Sequence, residues 1–214
     1  MREMGDQEVR THSVVAASRV YEMLSAAFRA VEPDPRNAGT FSQDLRLLLI
    51  LACTEIESSW RGVLTANGYP TPQRWSTADY FKLKGPMRLA DWRMTPRLFR
   101  RWGELSPYAS WEPGRPTASL EWYDAYNAVK HDGSGSLSRA TLKNVVDAVC
   151  ALDIMLDAQF GLDTSSDVSV PQTSRFFIIQ QPYWAPRERY YYVPESVGQD
   201  NQVRRPTVAV QYPF

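Results

Sequence analysis

Thr40-Phe-Ser-Gln-Asp-Leu-Arg-Leu-Leu-Leu-Ile-Leu-Ala-Cys-Thr-Glu-Ile-Glu-Ser-Ser-Trp-Arg-Gly-Val63 is the stretch on which the fold turns. Phe41, Leu45, Leu48, Ala52, Ile56, Trp60 and Val63 recur at steps of three and four, the spacing of one helix face. Thr40 and Gln43 stand in the T-x-x-Q relation of a capping box, in which hydroxyl and amide satisfy two free backbone donors. Asn67-Gly68 supplies a left-handed stop at the other end. Residues 47–51 are apolar on every side, which predicts that helix 40–67 is the central, most buried one. Cys53 falls inside it and reads as a core thiol rather than a reactive one.

Proline placement extends the reading outward. All 15 prolines lie at 33 and 35, between 70 and 116, or from 171 onward. Proline in a helix interior costs about 3 kcal/mol, so the windows 1–32, 36–69 and 117–170 are where long helices belong. In the first, Val14, Ala17, Tyr21, Leu24, Phe28 and Val31 make an unbroken stripe, predicting a helix over 8–32. The last window predicts two helices. One covers 119–131, with Ser119 as N-cap and Glu121 in the first turn. The other covers 138–160 and carries Leu142, Val145, Val149, Leu152, Leu156 and Phe160, with Cys150 again in the core.

The remaining stretches differ in character. Residues 69–118 hold seven prolines and the tryptophans Trp75, Trp92, Trp102 and Trp111. They predict a short helix over 77–83 and an ordered aromatic excursion, with a hairpin pairing 87–89 and 97–99. Residues 162–214 hold six prolines and two apolar or aromatic runs, 176–179 and 190–193, the composition of an extended arm packed on its own helices or on a partner. The fold class is therefore all-α: a helical domain over 1–161, excursion included, with an extended C-terminal arm over 162–214.

Composition narrows function by exclusion. Lys and Arg number 24 against 24 Asp and Glu, so the chain is not coated in positive potential. Two cysteines exclude a disulfide scaffold and a four-cysteine zinc site. The longest strongly apolar run is far shorter than the roughly 20 residues that cross a bilayer, and the N-terminus does not read as a secretion signal. A cytoplasmic protein with no membrane partner is the expectation. No E-x-x-H, Walker or dinucleotide pattern occurs, and no metal or cofactor is expected.

Only two histidines are present. His12 reads as a solvated surface residue. Glu121-Trp-Tyr-Asp-Ala-Tyr-Asn-Ala-Val-Lys-His131 places Asp124, Asn127 and His131 on one helix face. A carboxylate and an amide there could fix the tautomer of an imidazole suited to proton transfer. Equally, Lys130 and His131 occupy the last turn, where cations gain about 0.3–1 kcal/mol from the terminal carbonyls. Both readings stand at this level.

A second candidate is the basic segment. Lys82, Lys84, Arg88, Arg93, Arg97, Arg100 and Arg101 face Asp91 alone between 82 and 101, interleaved with Phe81, Trp92 and Phe99. Phosphates on cations and bases on rings are how single-stranded RNA is held. The alternative is a solvated face that pairs with the acidic last helix, where Asp147, Asp153 and Asp157 outnumber Lys143.

Asn127-Ala-Val-Lys-His131, followed by a glycine-containing break and another long helix, resembles the signature of the HEPN superfamily. The wider Trp-Tyr-x-x-Tyr-Asn-x-x-Lys-His string resembles a set of bacterial HEPN-like proteins. The likeness covers roughly 40–161 in helix order, and its identifiable motif is six residues long. It implies a small helical bundle, a homodimer, and in active members a metal-independent ribonuclease site built from Arg and His of two facing subunits. By that resemblance His131 is the acid/base and Asn127 its polar orienting neighbour. The motif arginine is replaced by Tyr126, with Lys130 the nearest cation, and Gly133 stands where some members carry a modifiable tyrosine. The implied function is an endoribonuclease or RNA-binding component of a bacterial toxin or phage-defence system. The alternative is a catalytically silent module for dimerisation or partner binding, with the C-terminal arm as its adhesive element. Trp122 and Tyr123 are expected to be partly wet in a monomer and covered at the two-fold axis of a dimer.

Overall fold

The computed structural model describes residues 2–132, 135–160, 176–183, 196–197 and 203–204. Its helices are α1 (Arg2–Ala30), α2 (Gln43–Ala66), α3 (Thr77–Tyr80), α4 (Glu121–His131) and α5 (Leu142–Phe160). They fall where the proline-free windows and the 77–83 prediction place them. After α3 the chain tightens into a 3-10 turn over Phe81–Leu83. The mostly helical class expected from sequence is the class observed.

The helix starts differ from the sequence expectation for a shared reason. The chain before α2 is occupied in capping α5: Leu142 N donates to Thr40 O at 2.8 Å and Lys143 N to Ala38 O at 3.0 Å. Those bonds satisfy donors that a helix start leaves free. They hold Thr40 outside α2, and Ser42 becomes the N-cap, its Oγ accepting from Leu45 N. In the same way Ser119 does not cap α4. Its Oγ accepts from Glu112 N and its carbonyl from Ser110 Oγ, so α4 begins at Glu121 without a side-chain cap. Residues Leu137–Arg139 form a separate 3-10 turn, and Thr141 Oγ1 accepts from Asn144 N where α5 starts.

The most buried helix is α5, not α2. Nearly every residue from Leu142 to Ala158 is buried, because α1, α2 and α4 all pack on it. On α2 one side faces outward, and Leu47 is 53% exposed. The stripe Val14, Ala17, Tyr21 and Leu24 of α1 is buried as expected, with Phe28 and Val31 at its partly covered end.

Residues 69–118 are part of the core rather than an excursion over it. Leu83, Met87, Trp92, Met94, Tyr108 and Trp111 are fully buried in one cluster with the helices. The expected hairpin between 87–89 and 97–99 does not form. Met87 and Leu89 turn inward, Leu89–Asp91 is a 3-10 turn, and Trp92 Nε1 donates to Met87 O. The strand is instead β1 (Arg93–Pro96), antiparallel to β2 (Phe177–Gln180) from the arm, with Met94 opposite Ile179 and Thr95 opposite Ile178. Phe99 sits behind this ribbon, edge-on to Phe28 at 5.0 Å and to Phe177 at 6.1 Å. The extended reading of 176–179 thus holds, and the ribbon joins arm to domain. A short antiparallel pair, β3 (Ser196–Val197) with β4 (Val203–Arg204), follows. The run 190–193 and Gly133 of the break after α4 lie outside the described residues, whereas Gly135 N of that break donates to Asp132 Oδ1 at 3.1 Å. No helix among the described residues is long and apolar enough to cross a membrane.

Candidate functional site

The motif helix α4 has two unlike halves. Its first two turns enter an aromatic cage centred on Trp60 of α2. Trp60 stacks on Trp111 at 5.2 Å, lies 5.0 Å from Tyr80, and meets Tyr123 edge-on at 5.3 Å. Trp122 is edge-on to Tyr108 at 5.7 Å, and its Nε1 donates to Pro107 O at 3.0 Å. Trp122 and Tyr123 are 2% and 3% exposed within a single chain, so the expectation that they stay wet in a monomer is overturned. Residues 69–118 cover them, a contact that helix periodicity does not reveal.

Behind the cage runs a polar seam between α2 and α4. Tyr123 Oη donates to Glu57 Oε1 at 2.6 Å, and Arg61 Nη2 lies 3.3 Å from Glu57 Oε2. One turn on, Lys130 Nζ donates to Tyr126 Oη at 2.7 Å. Burial first, then the hydrogen bond to the Glu57 carboxylate, holds the Tyr123 phenol well above its ordinary range. Burial likewise raises the Tyr126 phenol, while Lys130 acts in the opposite direction. That same bond to Tyr126 raises the Lys130 ammonium. Glu57, Arg61 and Tyr123 were not read from sequence as a group. Their spacing on α2 and α4 is the ordinary amphipathic one, and only the pairing of the two helices brings them together.

The predicted triad shares a face without forming a network. Asp124 Oδ2 accepts from Arg139 Nη2 at 2.8 Å, and Asn127 Nδ2 donates to Tyr123 O at 2.9 Å. Each is satisfied elsewhere, since a side chain three or four residues from a helix carbonyl or facing a nearby arginine finds those partners first. His131 is exposed, and its imidazole has no hydrogen-bond partner among the described residues. Tyr126, in the motif arginine's place, is fully buried and cannot meet a phosphate.

A guanidinium does reach the end of α4, from an unexpected source. Arg46 of α2 donates through both Nε and Nη2 to Val129 O, each at 3.2 Å. The sequence signal was a single arginine inside an otherwise apolar run, Leu45-Arg46-Leu47. Arg46 and Lys130 therefore bring cationic groups to the last turn, which ends at His131, where terminal carbonyls favour positive charge.

The basic segment is largely committed to backbone carbonyls and carboxylates of this same chain. Lys84 Nζ donates to Trp111 O, and Arg88 pairs with Asp91 and donates to Tyr183 O. Arg93 donates to Ala90 O and Trp92 O and faces Glu104 at 3.5 Å. Arg97 Nε donates to Phe177 O, and Arg101 lies 3.5 Å from Asp34. Lys82 and Arg100 are exposed. Among the described residues no ion pair joins this segment to α5: Asp147 takes Lys143, while Asp153 and Asp157 are buried. Trp92 and Phe99 are core side chains and Phe81 is half-buried, edge-on to Trp111 at 5.5 Å, so the three rings do not form the expected exposed stacking platform. Both cysteines are buried, with thiols pushed up chiefly by burial. His12 is exposed, as its sequence reading has it. Among the described residues no three His, Cys, Asp or Glu side chains are grouped to hold a metal. No family model, curated protein or solved structure matches the chain, so its site is defined by this geometry.

Proposed function

We propose that the chain is a HEPN-like helical protein that acts by binding a partner and does not cleave RNA. One observation carries this reading: Tyr126 is wholly buried with its hydroxyl held by Lys130, so the motif position that would clamp a phosphate faces the core. Guanidinium binds phosphate through two parallel bonds, which a buried phenol cannot reproduce. Asp124 and Asn127, bonded elsewhere, leave the His131 imidazole with nothing to fix its tautomer. The homodimer and the toxin or phage-defence setting rest on the resemblance alone. The expected behaviour is that purified chain leaves single-stranded and hairpin RNA intact at neutral pH, with or without EDTA. Cleavage that survives EDTA and disappears in His131→Ala would overturn the proposal.

A ribonuclease reading keeps one observation of its own, the Arg46 guanidinium on Val129 O. It would bring a charged clamp from α2 to the helix end that carries His131, in place of the missing motif arginine. In that case Arg46→Ala and His131→Ala would each abolish cleavage while the fold persists.

A further inference from the structure

Asp153 and Asp157 lie one turn apart on α5, each 1% exposed. Asp153 Oδ1 accepts from Tyr21 Oη of α1; among the described residues Asp153 Oδ2 and one oxygen of Asp157 have no hydrogen-bond partner. No cation pairs with either carboxyl among the described residues. On α1, Arg19 and Glu22 flank Tyr21 but are exposed, and on α5 the buried Cys150 thiol stands one turn before. Two adjacent carboxylates cannot both be ionised in such a place without large cost, since a buried charge needs a partner. Burial accordingly raises both carboxyls, Asp157 to about 7.

Tyr21 links this pair to the arm. Its ring lies 6.2 Å from Phe176, the residue just before β2, and Phe176 is edge-on to Phe28 of α1 at 5.7 Å. Whatever moves α1 off α5 therefore moves the surface on which the arm strand rests.

We propose that Asp153 and Asp157 are a proton-operated latch: protonated, they hold α1 on α5 and β2 against β1, and loss of a proton loosens both contacts. The sign follows from linkage. A folded-state acid raised above its ordinary value, about 3.9, makes the native chain bind more protons than the unfolded one. Stability is then full at the acid side and falls as pH rises from about 4 through about 7. One such proton steepens the unfolding constant by up to tenfold per pH unit within that window.

The test follows urea unfolding and amide exchange from about pH 5 to about pH 8 in the wild type and in Asp157→Asn, whose amide stands in for the protonated acid. The wild type should lose stability with pH more steeply than the variant, by a slope approaching tenfold per unit. Intrinsic-rate-corrected protection in α1 and β2 should fall in the wild type alone. Parallel slopes, or a slope difference without loss of protection in α1 and β2, would overturn the latch. Should Asp157→Asn fail to fold, infrared spectra of the wild type decide: a buried carboxylic-acid carbonyl band near pH 6 supports it, and a fully carboxylate spectrum there refutes it.

Discussion

The first turns of α4 and its last turn belong to one motif but meet opposite environments. Trp122, Tyr123 and Tyr126 are enclosed between Trp60 and the 69–118 segment, with every exposure at or below 3%. Lys130 and His131, four and five residues beyond Tyr126, are exposed. A string of residues that reads as one functional face is therefore half core and half surface. Spacing along a helix tells which side chains share a face, and only the neighbouring elements tell what that face meets.

The largest effect should come from breaking the enclosed half at its centre. Trp60→Ala removes the ring that Tyr80, Trp111 and Tyr123 all pack on, and should cost about 3–5 kcal/mol of stability in urea unfolding. Near-ultraviolet circular dichroism should lose much of its aromatic signal. A cost below about 1 kcal/mol would mean the cage is not a cage.

Tyr126→Arg comes next and separates the two halves most sharply. If Tyr126 belonged to the surface half, an arginine would be tolerated and could bind phosphate. At a fully buried site beside Lys130 it brings a second cation, and the Glu57 carboxylate whose charge acts there is already held by Tyr123 and Arg61, so the change should cost about 3 kcal/mol. Thermal unfolding reads this directly, and unchanged stability would place position 126 at the surface.

The difference between the halves also marks what the sequence could disclose. Helix spans were legible because proline and apolar spacing are local signals, and α1, α2, α4 and α5 follow them. The caps were less so: Thr40 and Ser119 have the right chemistry but are bound to distant backbone, Thr40 by Leu142 and Ser119 by Glu112. The β1–β2 ribbon joins residues 93–96 to 177–180, a pairing set by Phe99 and Phe177 packing together rather than by any turn sequence. For the candidate site, His131 and Lys130 could be named from sequence, but Arg46 and Glu57 could not. Their roles exist only once α2 lies along α4.

Tyr123→Phe probes the seam that separates core from surface. It removes the donor to Glu57 Oε1 and keeps the ring, leaving a carboxylate oxygen short of one partner, at a cost of about 1–3 kcal/mol. Glu57→Gln should cost less, because an amide oxygen still accepts the phenol's bond. Equal costs for the two substitutions would show that the Glu57 charge, through Arg61, matters as much as the bond to Tyr123.

His131→Ala should have the smallest effect on stability, and it tests the exposed half by itself. The imidazole has no hydrogen-bond partner among the described residues, so what it contributes is a favourable interaction with the carbonyl end of α4, about 0.3–1 kcal/mol. That interaction is screened by salt, so the small loss seen at low ionic strength should shrink in concentrated sodium chloride. Arg46 already covers Val129 O, which further limits what His131 can add. A loss above about 2 kcal/mol would mean that the imidazole is packed or bonded, contrary to its exposure. A stability change within the expected range, together with loss of an RNA-cleaving activity present in the wild type, would reverse the assignment of this helix end from binding surface to catalytic centre. Arg46→Ala would then be required to lose the same activity, since an isolated imidazole offers no clamp for the charge that develops on phosphate.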